Sequence, residues 1–63
     1  MSDPMLFAAT VLALGGTPHR PALVEKFRVG MAGLRARRYV DGNELNGKGR
    51  AATAQALGRR GRR

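Results

Sequence analysis

Ten arginines and two lysines dominate the chemistry available to this 63-residue chain. Arg20, Lys26 and Arg28 come first, and three clusters follow: Arg35, Arg37 and Arg38; Lys48 and Arg50; and Arg59, Arg60, Arg62 and Arg63. A guanidinium is a planar fork of donors that suits phosphate oxygens and the edge of guanine. Little else in the sequence points to chemistry. His19 is the lone histidine, sits between prolines, and has no neighbours with which to hold a metal. The four carboxylates, Asp3, Glu25, Asp41 and Glu44, are scattered, with no pair spaced for acid–base work. Cysteine is absent, which excludes disulfides, thiolate zinc sites and thiol nucleophiles. The expectation is a non-enzymatic protein without cofactor, metal or small-molecule substrate.

The charge is unevenly placed. Residues 1–19 carry a net −1 from Asp3, and residues 20–63 carry +9. An excess of that size repels itself in a compact domain, so an anionic partner is its natural explanation. Only 5% of the residues are aromatic, too few for a platform on which single-stranded bases stack. Duplex DNA is therefore the expected partner.

Size sets the next limit. A chain this short buries about 60% of its unfolded surface and has little stability to spare. Ten of its apolar residues are alanine, leaving seven Leu, four Val, three Met, two Phe and one Tyr for the core. That set can join a few short helices but not also line a substrate cleft. The apolar run Met5–Leu14 is too short to cross a membrane, which takes roughly 20 residues. Asp3 ahead of it gives the wrong sign for a signal peptide. The expected location is the cytoplasm, in association with the nucleoid, and no membrane partner is expected.

The elements that must position the arginines follow from local signals. Asp3-Pro4 reads as the cap and first residue of a helix over 5–14 that Gly15-Gly16 ends. That helix is apolar nearly all round, so it is either central to the domain or shared with a second copy in a homodimer. After the linker Thr17–Pro21, with its two prolines, a second helix starts at about Pro21 with Leu23, Val24 and Phe27 inward and Glu25 and Lys26 outward. Arg28-Val29-Gly30 reads as a tight turn before a third helix over 31–38 with Met31 and Leu34 inward. Gly30 and Gly33, each costing about 1 kcal/mol relative to Ala in a helix, favour that break. One continuous helix from Pro21 to Arg38 competes, since Leu23, Phe27, Met31 and Leu34 keep helical spacing. Tyr39-Val40 and Glu44-Leu45 flank Asp41-Gly42-Asn43 as a minimal β-hairpin, with Gly and Asn supplying positive φ. Asn46 caps a last helix over about 47–57, Gly58 stops it, and residues 59–63 form a basic tail, disordered in the free protein. Residues 1–58 thus make one domain. At about 100° per residue from an inward Leu34, Ala32, Gly33 and Ala36 point outward between Arg35 and Arg37, a smooth strip that lets a helix approach a groove closely. No Asn or Gln lies on this helix, so backbone contact should outweigh base readout.

This order of elements resembles the winged helix–turn–helix family over about residues 21–57. Leu34-Arg35-Ala36-Arg37-Arg38-Tyr39-Val40 is similar to the family's passage from the third helix into the first wing strand. Leu45-Asn46-Gly47-Lys48-Gly49-Arg50-Ala51 is similar to its wing-to-helix junction, where a capping residue precedes a Gly-Arg pair. Arg38 stands where Gly is usual, Asn46 where Thr is usual, and the wing is cut almost to a bare turn. The resemblance implies a mainly α fold: a three-helix helix–turn–helix core, a hairpin wing and a C-terminal helix. It also implies that helix 31–38 enters the DNA major groove while residues 41–50 approach the flanking backbone.

The expected function is a small transcriptional regulator or DNA-accessory protein, of phage or mobile-element type given its size. Arg28, Ala32, Gly33, Arg35, Ala36, Arg37, Arg38, Lys48, Arg50, Arg59, Arg60, Arg62 and Arg63 would form the nucleic-acid surface. Two alternatives stand: a module that docks on an acidic host protein, and an RNA- or ribosome-associated protein. Gly47-Lys48-Gly49-Arg50 is a poor phosphate loop, lacking the Gly spacing and the following Ser or Thr. As a helix N-terminus beside a backbone phosphate it is credible.

Overall fold

A computed structural model of the chain describes residues 1–61, with side chains up to Arg59. Its described elements are α1 (Asp3–Leu14), α2 (Pro21–Ala36), β1 (Val40–Asp41), β2 (Glu44–Leu45) and α3 (Gly47–Gly61). The fold is mainly helical with one small antiparallel sheet, as expected.

Helix α1 begins one residue earlier than the Asp3 cap expected. Ser2 is the N-cap, and its Oγ accepts a hydrogen bond from the Met5 N–H at 3.4 Å. Pro4 still sits in the first turn, where a missing N–H costs nothing. The expected stop holds: Gly15, at φ 72°, donates to the Leu12 carbonyl and Gly16 to the Val11 carbonyl, closing the helix in a Schellman motif.

The expected turn at Arg28-Val29-Gly30 is absent, and so is a separate helix over 31–38. Residues Pro21–Ala36 form one continuous helix. The glycines that argued for a break serve the packing of α1 on α2. A methyl group built on Gly30 would overlap the carbonyl oxygen of Pro4 and stand 2.8 Å from the Ala8 Cβ. One on Gly33 would stand 2.7 Å from the Met5 side chain. Ala8 and Ala9 are fully buried on the facing side of α1. Small residues on both helices bring the backbones together, and that contact outweighs the propensity cost of each glycine.

Met5, Ala8 and Ala9 of α1, Met31 and Leu34 of α2, and Leu45 of β2 form the buried cluster. Phe27, Tyr39 and Val40 are half-buried against it. Leu23 and Val24, expected inward, lie at its edge and are 37% and 44% exposed. The two strands pair Val40 with Leu45 and Asp41 with Glu44, leaving Gly42-Asn43 as the turn. Gly42 takes φ 65°, whereas Asn43 does not take the positive φ expected of it. This order suits a two-residue hairpin with glycine first.

Asn46 caps α3 as expected: its Oδ1 accepts from the Gly49 N–H at 2.8 Å. Gly49 lies against the Tyr39 carbonyl, where a methyl group would overlap the oxygen. Buried Thr53, one turn on, satisfies its hydroxyl on the Gly49 carbonyl at 2.8 Å. Gly58 does not stop the helix. It has open space around it, and α3 runs through it to Gly61. Part of the expected disordered tail is thus helical, while Arg62 and Arg63 lie outside the described residues.

Candidate nucleic-acid interface

The C-terminal half of α2 carries the strip that sequence spacing placed outward, with one correction. Ala32 and Ala36 are exposed, and Arg35 and Arg37 are exposed beside them. Gly33 is not part of the strip. It is half-buried toward Met5, so it belongs to the helix contact rather than to an outer surface.

The end of α2 turns the chain from helix into hairpin and fixes where Arg38 points. Arg38 takes the left-handed conformation, φ 58°. Its N–H donates to the Arg35 carbonyl at 3.0 Å and that of Tyr39 to the Leu34 carbonyl at 2.9 Å. The Asn46 side chain locks this turn to α3. Its Nδ2 donates to the Arg38 carbonyl at 2.8 Å while its Oδ1 serves the cap, a double role for which a threonine hydroxyl has no second polar atom. Arg38 and Asn46 therefore meet in one hydrogen-bonded corner.

This corner gathers some of the expected basic residues and separates others. Arg35 and Arg38 line an open hollow of about 380 Å³ between the end of α2 and the hairpin, with Val40, Asp41, Gly42, Asn43 and Asn46. Arg37 and Arg59 share a second hollow on the α3 side of Tyr39. The Lys48 ammonium stands over the Tyr39 ring, 5.5 Å from its centre. Arg50 lies apart, beside Glu44 and the end of α1. Arg28 is exposed on α2 but is engaged locally: its guanidinium grips the Glu25 carboxylate in two hydrogen bonds of 2.5 and 3.0 Å. Those hydrogen bonds, and then the Arg28 charge, hold the Glu25 carboxyl below its ordinary range. Arg28 therefore offers less free charge than its place in the sequence suggests. The side chains of Arg60, Arg62 and Arg63 lie outside the described residues.

Asn43 carries no sign of a binding role in the sequence, where it is one residue of a turn. The hairpin brings it, exposed, into the hollow with Arg35 and Arg38. Its position two residues after Asp41 in a turn gives no signal of that company until the hairpin is placed against α2.

None of the described helices is long and apolar enough to cross a membrane. Comparison with known proteins leaves the geometry to speak by itself: no protein family, curated protein or solved structure matches this chain.

Proposed function

We propose that this chain is a non-enzymatic, duplex-DNA-binding protein of winged-helix type, acting as a small regulator or DNA-accessory protein. It would lay the C-terminal half of α2 in the major groove with the hairpin against the flanking backbone. The observation that carries the reading is the surface at the end of α2. A smooth strip, Ala32 and Ala36, runs beside Arg35 into a hollow lined by Arg38 and a hairpin amide. Small outward residues permit close approach, and arginines at the flank supply phosphate and guanine contacts. Continuity of α2 changes the docking unit. The helix pair joined by a short connection is α1 and α2, with Gly15–Arg20 between them.

The test is a salt series on duplex DNA, single-stranded DNA and duplex RNA. Duplex DNA should bind tightest, with log K falling against log salt at a slope of about −3.6 to −5.4 for four to six phosphate contacts. Equal binding of all three nucleic acids, or weak duplex binding at physiological salt, overturns the reading.

The same proposal includes pairing of two copies through α1. One face of α1 is buried in the chain, but the other is not: Leu14 is 81% exposed at the rim of an apolar groove with Phe7, Val11, Pro18 and Leu23. The lining of that groove carries no charged side chain among the described residues. A second copy is the occupant that charge favours. Two chains of +8 repel least where a face has no charged lining, although the Lys26 ammonium stands over the Phe7 ring at its edge, 5.3 Å from the centre. A leucine ridge beside a groove is also self-complementary, as a two-fold interface requires. Sedimentation at high micromolar concentration should show a dimer, and Leu14→Asp should give a folded monomer. A wild-type monomer under those conditions removes this part of the proposal.

A further inference from the structure

Two helices of this chain end in the same motif with different residues at its left-handed position. In α1 that residue is Gly15, at φ 72°; in α2 it is Arg38, at φ 58°. Both ends close with the same pair of backbone hydrogen bonds, from the left-handed residue and from the one after it. The position favours glycine, because a Cβ there crowds the following carbonyl. The backbone hydrogen bonds of this corner would form equally with glycine, so they give no reason for an arginine side chain here. The Arg38 side chain is exposed and makes no hydrogen bond or ion pair within the described residues.

Strain kept at one residue is a reason to look for what that residue meets. Arg38 opens into the hollow with Arg35, and its backbone direction is held by the Asn46 amide on its carbonyl. Asp41 shares the hollow. With two guanidinium groups and one carboxylate, it has a net charge of +1. We infer that the hollow between the end of α2 and the hairpin is a seat for one phosphodiester. Arg38 is kept at a conformational cost because glycine cannot hold that anion. A singly charged phosphodiester matches the net charge, and in the duplex it would be a backbone phosphate beside the groove. This inference rests on the DNA reading above and assigns one phosphate contact within it.

The experiment compares wild type, Arg38→Gly and Arg38→Ala in thermal melting and in duplex-DNA affinity across a salt series. Arg38→Gly should melt about 4 °C higher, since relief of the left-handed strain acts on a domain of this size. It should bind DNA about tenfold more weakly, with a salt slope smaller by about 0.9. Arg38→Ala should lose the same affinity with no gain in melting temperature, because alanine keeps the Cβ. Unchanged affinity and slope in Arg38→Gly overturn the inference, and so does a melting temperature that does not rise. If wild type binds no duplex, the DNA reading fails, and the seat is judged by titrating dimethyl phosphate against the backbone amides of Gly42 and Asn43. Shifts present in wild type and absent in Arg38→Gly uphold it; no shift in wild type overturns it.

Discussion

Gly30→Ala should lower the melting temperature by roughly 10–20 °C, or leave no cooperative transition to measure. Helix propensity alone argues the opposite, because alanine gains about 1 kcal/mol over glycine in a helix interior. Position decides the sign. Gly30 is buried, and the new methyl group would overlap the Pro4 carbonyl oxygen and press on the Ala8 Cβ at 2.8 Å. The oxygen is backbone, so no side-chain rotation relieves the overlap, and α1 must move off α2. Overpacking in a core costs typically 1–3 kcal/mol and more where backbone must shift. The net loss is large against the roughly 3–9 kcal/mol expected for a chain of this length. Gly58→Ala is the matched contrast. Gly58 is helical with open space around it, so the same substitution should stabilise by about 1 kcal/mol. Circular dichroism melts of the two variants beside wild type check both. A Gly30→Ala protein that melts at or above wild type would mean that α1 and α2 do not meet at Gly30.

Ala36→Glu and Ala32→Glu should each abolish duplex binding in a protein that remains folded. Both positions are exposed near the end of α2 beside Arg35. A glutamate there obstructs entry of the helix into a groove and faces phosphates with a like charge. The expected loss exceeds a hundredfold in affinity, which corresponds to about 2.8 kcal/mol. Surface substitutions of this kind shift stability by about 0.5 kcal/mol or less, so melting should barely change. Leu34→Ala is the control for indirect loss. Leu34 is fully buried, and its truncation should cost about 2–5 kcal/mol, so binding would disappear only with the fold. Full DNA binding by a folded Ala36→Glu protein would sink the assignment of this face. The strip, with half-exposed Val29 beside it, would then be a surface for an acidic protein partner.

Signals that act over a few residues were legible without the fold. The Gly15-Gly16 stop, the proline start of α2, the hairpin around Gly42 and the Asn46 cap each depend on contacts within about four residues. The uneven charge also needed no coordinates, since it follows from where the arginines fall along the chain. Tertiary contact decided the rest. Gly30 and Gly33 read locally as helix breakers, because a sequence shows their propensity cost but not the α1 backbone, alanines and Met5 that come to lie against them. The same contact moved Gly33 from the outer strip into the helix interface. Gly58, with nothing packed on it, was also read as a stop, and α3 continued through it. At Arg38 the sequence shows only one more arginine of a basic cluster. The left-handed turn, its tie to Asn46 and the hollow shared with Arg35 and Asn43 exist only once the hairpin folds back on α2. Helix, turn and cap signals are energies of neighbours in sequence, whereas the places of Gly30, Gly33 and Arg38 are set by other elements that the fold brings against them.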